Sequence, residues 1–183
     1  MIDCGIPFAK MKEDLYKVDT LLLTHAHTDH IKPETLERIR KEFPRINIFG
    51  NADIAYRFDI DKVIGIKPFS LPRGRTIVPF ELFHDVQTTG YIIQTDGLNI
   101  LYATDTAKIY NPIKEKIDYF FLESNYDEVK LKQTYRKYSN RNYDARAGSL
   151  RHLSTQKCKE FYFVNRRSNE SPLIELHQSS RFY

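Results

Sequence analysis

Histidine is scarce in this chain and is placed where it could bind metal. The six present are His25, His27, His30, His84, His152 and His177. Three fall in the segment Thr24-His25-Ala26-His27-Thr28-Asp29-His30, so four donor side chains crowd one short loop after an apolar run. Imidazole and carboxylate are the usual ligands of zinc, and they also suit manganese or iron. A lone histidine is more often structural; four donors in one loop are a stronger signal. One loop cannot satisfy two metal ions, so a dinuclear centre needs donors from elsewhere. His84 follows the apolar run at 77–83, Asp105 follows Ile100-Leu101-Tyr102, and His177 follows Leu173-Ile174-Glu175-Leu176. Each candidate sits at the C-terminal end of an apolar run, which places them together on one edge of a sheet.

The elements that must hold these donors read as short strands alternating with brief helices. Residues 18–24 form a continuous apolar run of strand length, suited to a sheet buried on both faces. Residues 33–43 read as a helix, with Pro33 in its first turn and Leu36, Ile39 and Phe43 on one face. Strands are expected at 46–50, 77–83, 91–95, 99–102, 117–122 and 173–176, with Asp96-Gly97 as a hairpin turn. A basic helix is expected over 128–138 and another over 154–163. The polar stretch 139–149 reads as a mobile loop. The alternation points to an α/β layered fold in a single domain over residues 1–183.

Composition narrows the class. At 41% hydrophobic and 13% aromatic residues the chain can build a folded core. Its apolar runs are too short to span a bilayer, and no charged-then-apolar leader opens it. Two cysteines, Cys4 and Cys158, are too few for a disulfide framework. A reduced, cytoplasmic setting without membrane partners is therefore expected. The net charge of +4 is uneven: residues 130–183 hold twelve Lys or Arg against four Asp or Glu, leaving the remainder at −4. Such a basic third suits a polyanion such as nucleic acid, or is an ordinary solvated surface. Tyr135, Tyr138 and Tyr143, interleaved with Lys132, Arg136, Lys137 and Arg141, could stack on and neutralise a nucleic-acid strand. Equally, they could pack an amphipathic helix onto the sheet.

The segment His25-Ala26-His27-Thr28-Asp29-His30 matches the HxHxDH signature of the metallo-β-lactamase superfamily, and the resemblance covers nearly the whole chain. Met1-Ile2-Asp3-Cys4-Gly5 resembles the strand that precedes the signature, whose aspartate buttresses the metal-binding loop. Within the superfamily the chain is most similar to the phosphodiesterase branch of tRNase Z and exonuclease-like proteins. Glu123-Ser124-Asn125-Tyr126-Asp127 resembles an ESNxD segment, and Ser149-Leu150-Arg151-His152-Leu153-Ser154 resembles a GHxS segment. The ending, from Leu173 through His177 to Ser180-Arg181-Phe182-Tyr183, resembles that of tRNase Z. The Arg-His-Leu-Ser-Thr-Gln segment is similar to one in bacteriophage-borne hydrolases.

The resemblance implies an αββα four-layer sandwich and two divalent ions, zinc first, with manganese or iron as alternatives. It implies His25, His27 and His84 on one ion, Asp29, His30 and His177 on the other, and Asp105 bridging. A metal-bridging hydroxide, between ions about 3.5–4 Å apart, would attack phosphorus in line. His152 would ligate the phosphate or protonate the leaving alkoxide, a role worth about 10²–10⁴-fold; alternatively it replaces His177 as ligand or caps the following helix. Asp29 would orient the nucleophile as well as ligate. Asp3 would support the loop from behind. Arg151 stands where the branch has glycine, adding a phosphate contact or crowding the site. Ser154 is either near the substrate or an N-cap, and Glu123 either supports the site or merely ends a strand.

The expected substrate is a phosphodiester in DNA, RNA or a cyclic nucleotide. A thioester or lactone hydrolase of the glyoxalase type is the alternative, and a non-catalytic metal- or nucleic-acid-binding protein a third reading. Neither cysteine matches the ligand cysteine of true zinc β-lactamases, which argues against antibiotic hydrolysis. Only 71 residues separate Asp105 from His177, too few for a large cap domain, so tRNA-precursor processing is not expected. The family's strand pair has no counterpart ahead of Asp3. An open sheet edge would leave strands free to pair with another subunit, so the expectation is either a homodimer or a truncated and impaired protein.

Overall fold

A computed structural model describes residues 1–110, 114–138, 145–180 and 182–183. Backbone contacts divide it into two compact units, residues 1–67 with 86–89 and residues 68–85 with 90–183. Both are of mixed α/β type, with helices packed against sheets, as the alternating pattern predicts.

The first unit is built on a parallel sheet of β1 (Thr20–Leu22), β2 (Asn47–Gly50) and β3 (Lys62–Val63). Every residue of β1 is buried, as expected of a parallel strand covered on both faces. Helix α1 (Phe8–Leu15) buries Phe8, Met11 and Leu15, one face of a 3.6-residue repeat. Helix α2 (Pro33–Glu42) starts on its proline and buries Leu36 and Ile39. Helix α3 (Ala52–Phe58) is capped by Asn51, whose Oδ1 accepts the Ile54 N–H at 3.0 Å. These apolar residues form one core with Leu21, Leu23 and Ile31. The sequence reading contains neither α1 nor α3. The strand expected at 18–24 is confined to Thr20–Leu22, and residues 1–5, which resemble a strand, form only bridges, Ile2 to Leu22 and Cys4 to Ile31.

The second unit carries a six-stranded sheet in the order β4 (Phe69–Leu71), β5 (Arg75–Leu82), β6 (Thr88–Thr95), β7 (Leu98–Ala103), β8 (Tyr119–Glu123) and β9 (Leu173–Leu176). The β6–β7 hairpin turns through Asp96 and Gly97, both at positive φ, as an Asp-Gly turn requires. Strands β7, β8 and β9 run parallel, with Ala103 opposite Leu122 and Glu123 opposite Leu176. Their C-terminal ends therefore lie side by side. Helix α4 spans Glu128–Tyr138, α5 spans Ala145–Ser149 and α6 spans Thr155–Asn165. The helix at Ala145–Ser149 corrects the loop reading of that stretch; residues 139–144 lie outside the described part. So do Tyr143 and Arg141, and the side chains of Tyr135, Arg136, Lys137 and Tyr138. Leu101, Ala103, Ile117, Phe120, Leu122, Leu153 and Cys158 make this unit's core. Burial pushes the Cys4 and Cys158 thiols up to about 12, so both stay protonated packing groups. No described helix is long and apolar enough to cross a membrane.

Candidate metal centre

Within the first unit, the loop after β1 gathers His25, His27, Asp29 and His30. The ring centroids of His25 and His27 lie 4.7 Å apart, and those of His25 and His30 4.1 Å apart. Imidazoles this close gain from a shared cation. The loop is held from behind by Asp3. Its Oδ1 accepts the Thr24 N–H at 2.8 Å, and its Oδ2 accepts the Thr24 hydroxyl at 2.8 Å and His30 Nδ1–H at 2.7 Å. Having donated its proton to Asp3, the Thr24 hydroxyl oxygen accepts from His25 Nδ1 at 3.0 Å. With Nδ1 donating on both rings, Nε2 is the nitrogen whose lone pair faces a metal, the usual arrangement for ligating histidines. Asp29 has an exposed side chain, 69% accessible. Backbone bonds from Cys4 N to His30 O and from Lys32 N to Cys4 O clamp the loop to the N-terminal segment. Gly5 permits that approach, because a Cβ there would lie 1.7 Å from the Asp29 carbonyl oxygen.

Asp3 is thus a positioning residue whose loss is measurable. Asp3→Ala is expected to weaken metal binding by about 10–100-fold, the usual cost of removing such support. Metal titration of the stripped protein checks this; unchanged affinity would reduce Asp3 to a packing residue.

Within the second unit, the aligned ends of β7, β8 and β9 bring Asp105, Glu123 and His177 together, and the turn before α6 adds His152. Asp105 and Glu123 are almost fully buried. Glu123 Oε1 accepts from His152 Nδ1 at 2.8 Å and from His177 Nδ1 at 3.0 Å. Its Oε2 accepts the backbone N–H of Thr106 at 2.7 Å and of Leu153 at 3.3 Å. Asp105 Oδ1 lies 3.1 Å from His177 Nδ1, 3.7 Å from His152 Nδ1 and 4.0 Å from His84 Nε2. Asp105 and then Glu123 hold His177 protonated up to about 10, against the opposing pull of burial. A ligating imidazole must be neutral, so a metal bound there would displace that proton.

Six described non-glycine residues have positive φ, and Asp3, Asp105 and His177 are among them. Asp and His are enriched in this otherwise sparse region, where the chain turns sharply at a strand end. Arg151 pairs with Asp85 at 2.7 Å. Ser154 is fully buried and caps α6, accepting the Lys157 N–H at 3.2 Å while donating to Glu128 Oε1 at 2.7 Å.

Sequence reasoning left Glu123 undecided and passed over Asn125. The latter's amide donates to the His177 carbonyl at 2.7 Å and fixes the last candidate donor. Asp127, two residues on, caps α4 by accepting from Val129 and Lys130 N–H groups. The one available signal was the ESNxD resemblance itself. Glu123, Asn125 and Asp127 bind a candidate donor's residue or a helix end, whereas the Ser124 hydroxyl bonds to the Thr155 and Glu175 side chains.

The profile of the Beta-lactamase superfamily domain matches residues 2–132. The chain belongs to that superfamily. Members of the β-lactamase superfamily are metal-dependent hydrolases, and the donors described above fit a divalent cation. Asp105, Glu123, His152 and His177 each offer a ligand atom within 4.8 Å of the others. Two buried carboxylates among imidazoles are costly without a cation between them. No curated protein sequence matches the chain. Solved structures of the same fold include the metallo-β-lactamase fold protein YhfI from Bacillus subtilis, at 17% identity over 98% of this chain and 73% of that one, with a TM-score of 0.68. Human tRNase Z, short form, is similar at 15% identity over 98% and 82%, with a TM-score of 0.65. A diphosphatase of the PhnP family is similar at 16% identity over 99% and 68%, also with a TM-score of 0.65. At these identities the likeness is one of fold, the metallo-β-lactamase fold.

Proposed function

We propose that this chain is a dinuclear metal-dependent phosphodiesterase or nuclease formed by a single domain over residues 1–183. The observation that carries the reading is the hydrogen bond from His152 Nδ1 to the buried Glu123 carboxylate. A carboxylate behind an imidazole sets its tautomer and holds its orientation, which suits a group placed to deliver a proton to a leaving oxygen. Two fold neighbours are a tRNase and a diphosphatase by name, so both act on phosphorus.

By the superfamily pattern His25, His27 and His84 would hold one ion and Asp29, His30 and His177 the other, with Asp105 shared. Zinc suits such nitrogen and oxygen donors best, with manganese and iron as alternatives. When bound, the ions supply an activated water and neutralise the phosphoryl oxygens. Asp29 orients the nucleophile as well as ligating. Glu123 holds His152 through Nδ1, and His152 passes its other ring proton to the departing alkoxide. Arg151, steadied by Asp85, lends positive charge to the phosphate. Asp3 and Ser154 position their neighbours.

The exposed Lys157 and Lys159 of α6 favour a polyanionic substrate, DNA, RNA or a cyclic nucleotide. Other basic residues of this third are already engaged, Arg167 with Asp118 at 2.6 Å and Arg166 over the Phe163 ring. A cytoplasmic setting goes with the two protonated cysteines. A homodimer would use the backbone of a sheet-edge strand such as β9.

Turnover of bis(p-nitrophenyl) phosphate by the full chain, loaded with zinc or manganese and compared with chelator-stripped protein, tests the reading. Metal-dependent release of p-nitrophenolate is expected. Hydrolysis of a thioester or lactone instead, with two metals bound, would move the chain to acyl chemistry. Salt-sensitive DNA or RNA binding without any turnover would make it a binding protein.

A further inference from the structure

Beside the candidate donors stands an aromatic corner that the mechanism above does not use. The end of β5 is tied to the loop after β7: Phe83 N–H donates to Thr106 Oγ1 at 3.0 Å, and Ala107 N–H donates to the Phe83 carbonyl at 2.8 Å. The Thr106 hydroxyl donates to the Lys108 carbonyl at 2.7 Å. Ile109 is half-buried against the core, while its neighbours Lys108 and Tyr110 are exposed. The Phe83 and Tyr110 rings meet edge to face, with centroids 4.4 Å apart at 83°. The Lys108 ammonium lies to one side of the pair, 3.9 Å from the Tyr110 centroid and 5.0 Å from that of Phe83. Phe83 is 38% exposed and Tyr110 57% exposed. Phe83 directly precedes His84, and Lys108 lies three residues beyond Asp105.

We propose that Phe83, Tyr110 and Lys108 form a subsite that takes a planar nucleobase and the phosphate carried on its sugar, and so sets specificity for nucleotide substrates; the proposal rests on the phosphodiesterase reading. A lysine over a single tyrosine is common on protein surfaces, at roughly one cation–π contact per 70–80 residues. Here one ammonium serves two solvent-facing rings, and the backbone on both sides of it is pinned by hydrogen bonds. Rings of this size are normally buried; held rigid and exposed, they keep a surface ready for another π-system. Every base has such a face, so stacking on an aromatic side chain recognises nucleotides with little regard to sequence. The ammonium lies close to both rings and stays exposed, so an anion attached to the stacked base can pair with it. An alkyl phosphate would use Lys108 but not the rings.

The test is binding of adenosine 5′-monophosphate against ribose 5-phosphate, followed by calorimetry on the full chain, stripped of metal and loaded with zinc. Any contact of phosphate with metal is common to both probes and cancels in their ratio. Adenosine 5′-monophosphate is expected to bind about tenfold or more tightly than ribose 5-phosphate, in keeping with base stacking. Tyr110→Ala, and Phe83→Leu, which keeps apolar bulk, should bring that ratio down to about threefold or less. Lys108→Ala should weaken both probes by a similar factor. Equal affinities in the wild type, no binding of either probe, or a preference that survives Tyr110→Ala would each overturn the subsite. Base selectivity without phosphodiester turnover would support the subsite and sink the phosphodiesterase reading, so the two fail separately.

Discussion

Glu123→Gln is expected to lower phosphodiester turnover by about 10²–10⁴-fold, the range for disabling a positioned proton donor, when compared at saturating metal. The carboxylate is fully buried at the end of β8 and accepts four hydrogen bonds, two from imidazoles and two from backbone N–H groups. An amide of the same shape has one acceptor oxygen, so its NH2 must face a donor. His152 then loses the carboxylate that fixes its tautomer and orientation. The buried mismatch adds a stability cost of about 1–3 kcal/mol, readable as a lower thermal midpoint. Turnover within about twofold of wild type, at equal metal content, would return Glu123 to a strand-end packing role.

His152→Ala should be equally damaging, by about 10²–10⁴-fold, and the loss should depend on the leaving group. A p-nitrophenolate departs without a proton, whereas the alkoxide of an alkyl or nucleotide ester needs one. Comparing bis(p-nitrophenyl) phosphate with an alkyl ester under the same metal loading reads this directly. A large loss on the alkyl ester beside a small one on the aryl ester assigns proton donation to His152. Equal losses on both would make it a ligand of phosphate or metal. Combining His152→Ala with Glu123→Gln should cost little more than either alone, because the two act as one unit.

The clustering of candidate donors in the first loop is legible in the sequence because it is local. Four donors within six residues, after an apolar run, need only a strand and a turn to face the same way. Strand ends carrying His84, Asp105 and His177 were readable for a similar reason: a period of two and an abrupt end to an apolar run are properties of neighbours in the chain. Helix α1 carries a readable pattern in Phe8, Met11 and Leu15, spaced for one helical face. Helix α3 offers only Ile54 as a buried residue, and its existence depends on the Asn51 cap and on tertiary packing.

The tertiary structure alone decided what supports the donors. Glu123 meets imidazoles 29 and 54 residues away, because parallel pairing of β7, β8 and β9 sets their ends side by side. No local pattern encodes that register. Asp3 reaches Thr24 and His30 across 21 and 27 residues, and Ser154 turned out to be a helix cap. Nor does composition tell that Phe83 and Tyr110 face solvent, since such residue types are buried by default. The sequence determined which donors the chain owns and the superfamily it resembles. The long-range backbone pairing decided which of them share a carboxylate, because hydrogen bonds between strand ends act across space and leave no trace in residue order.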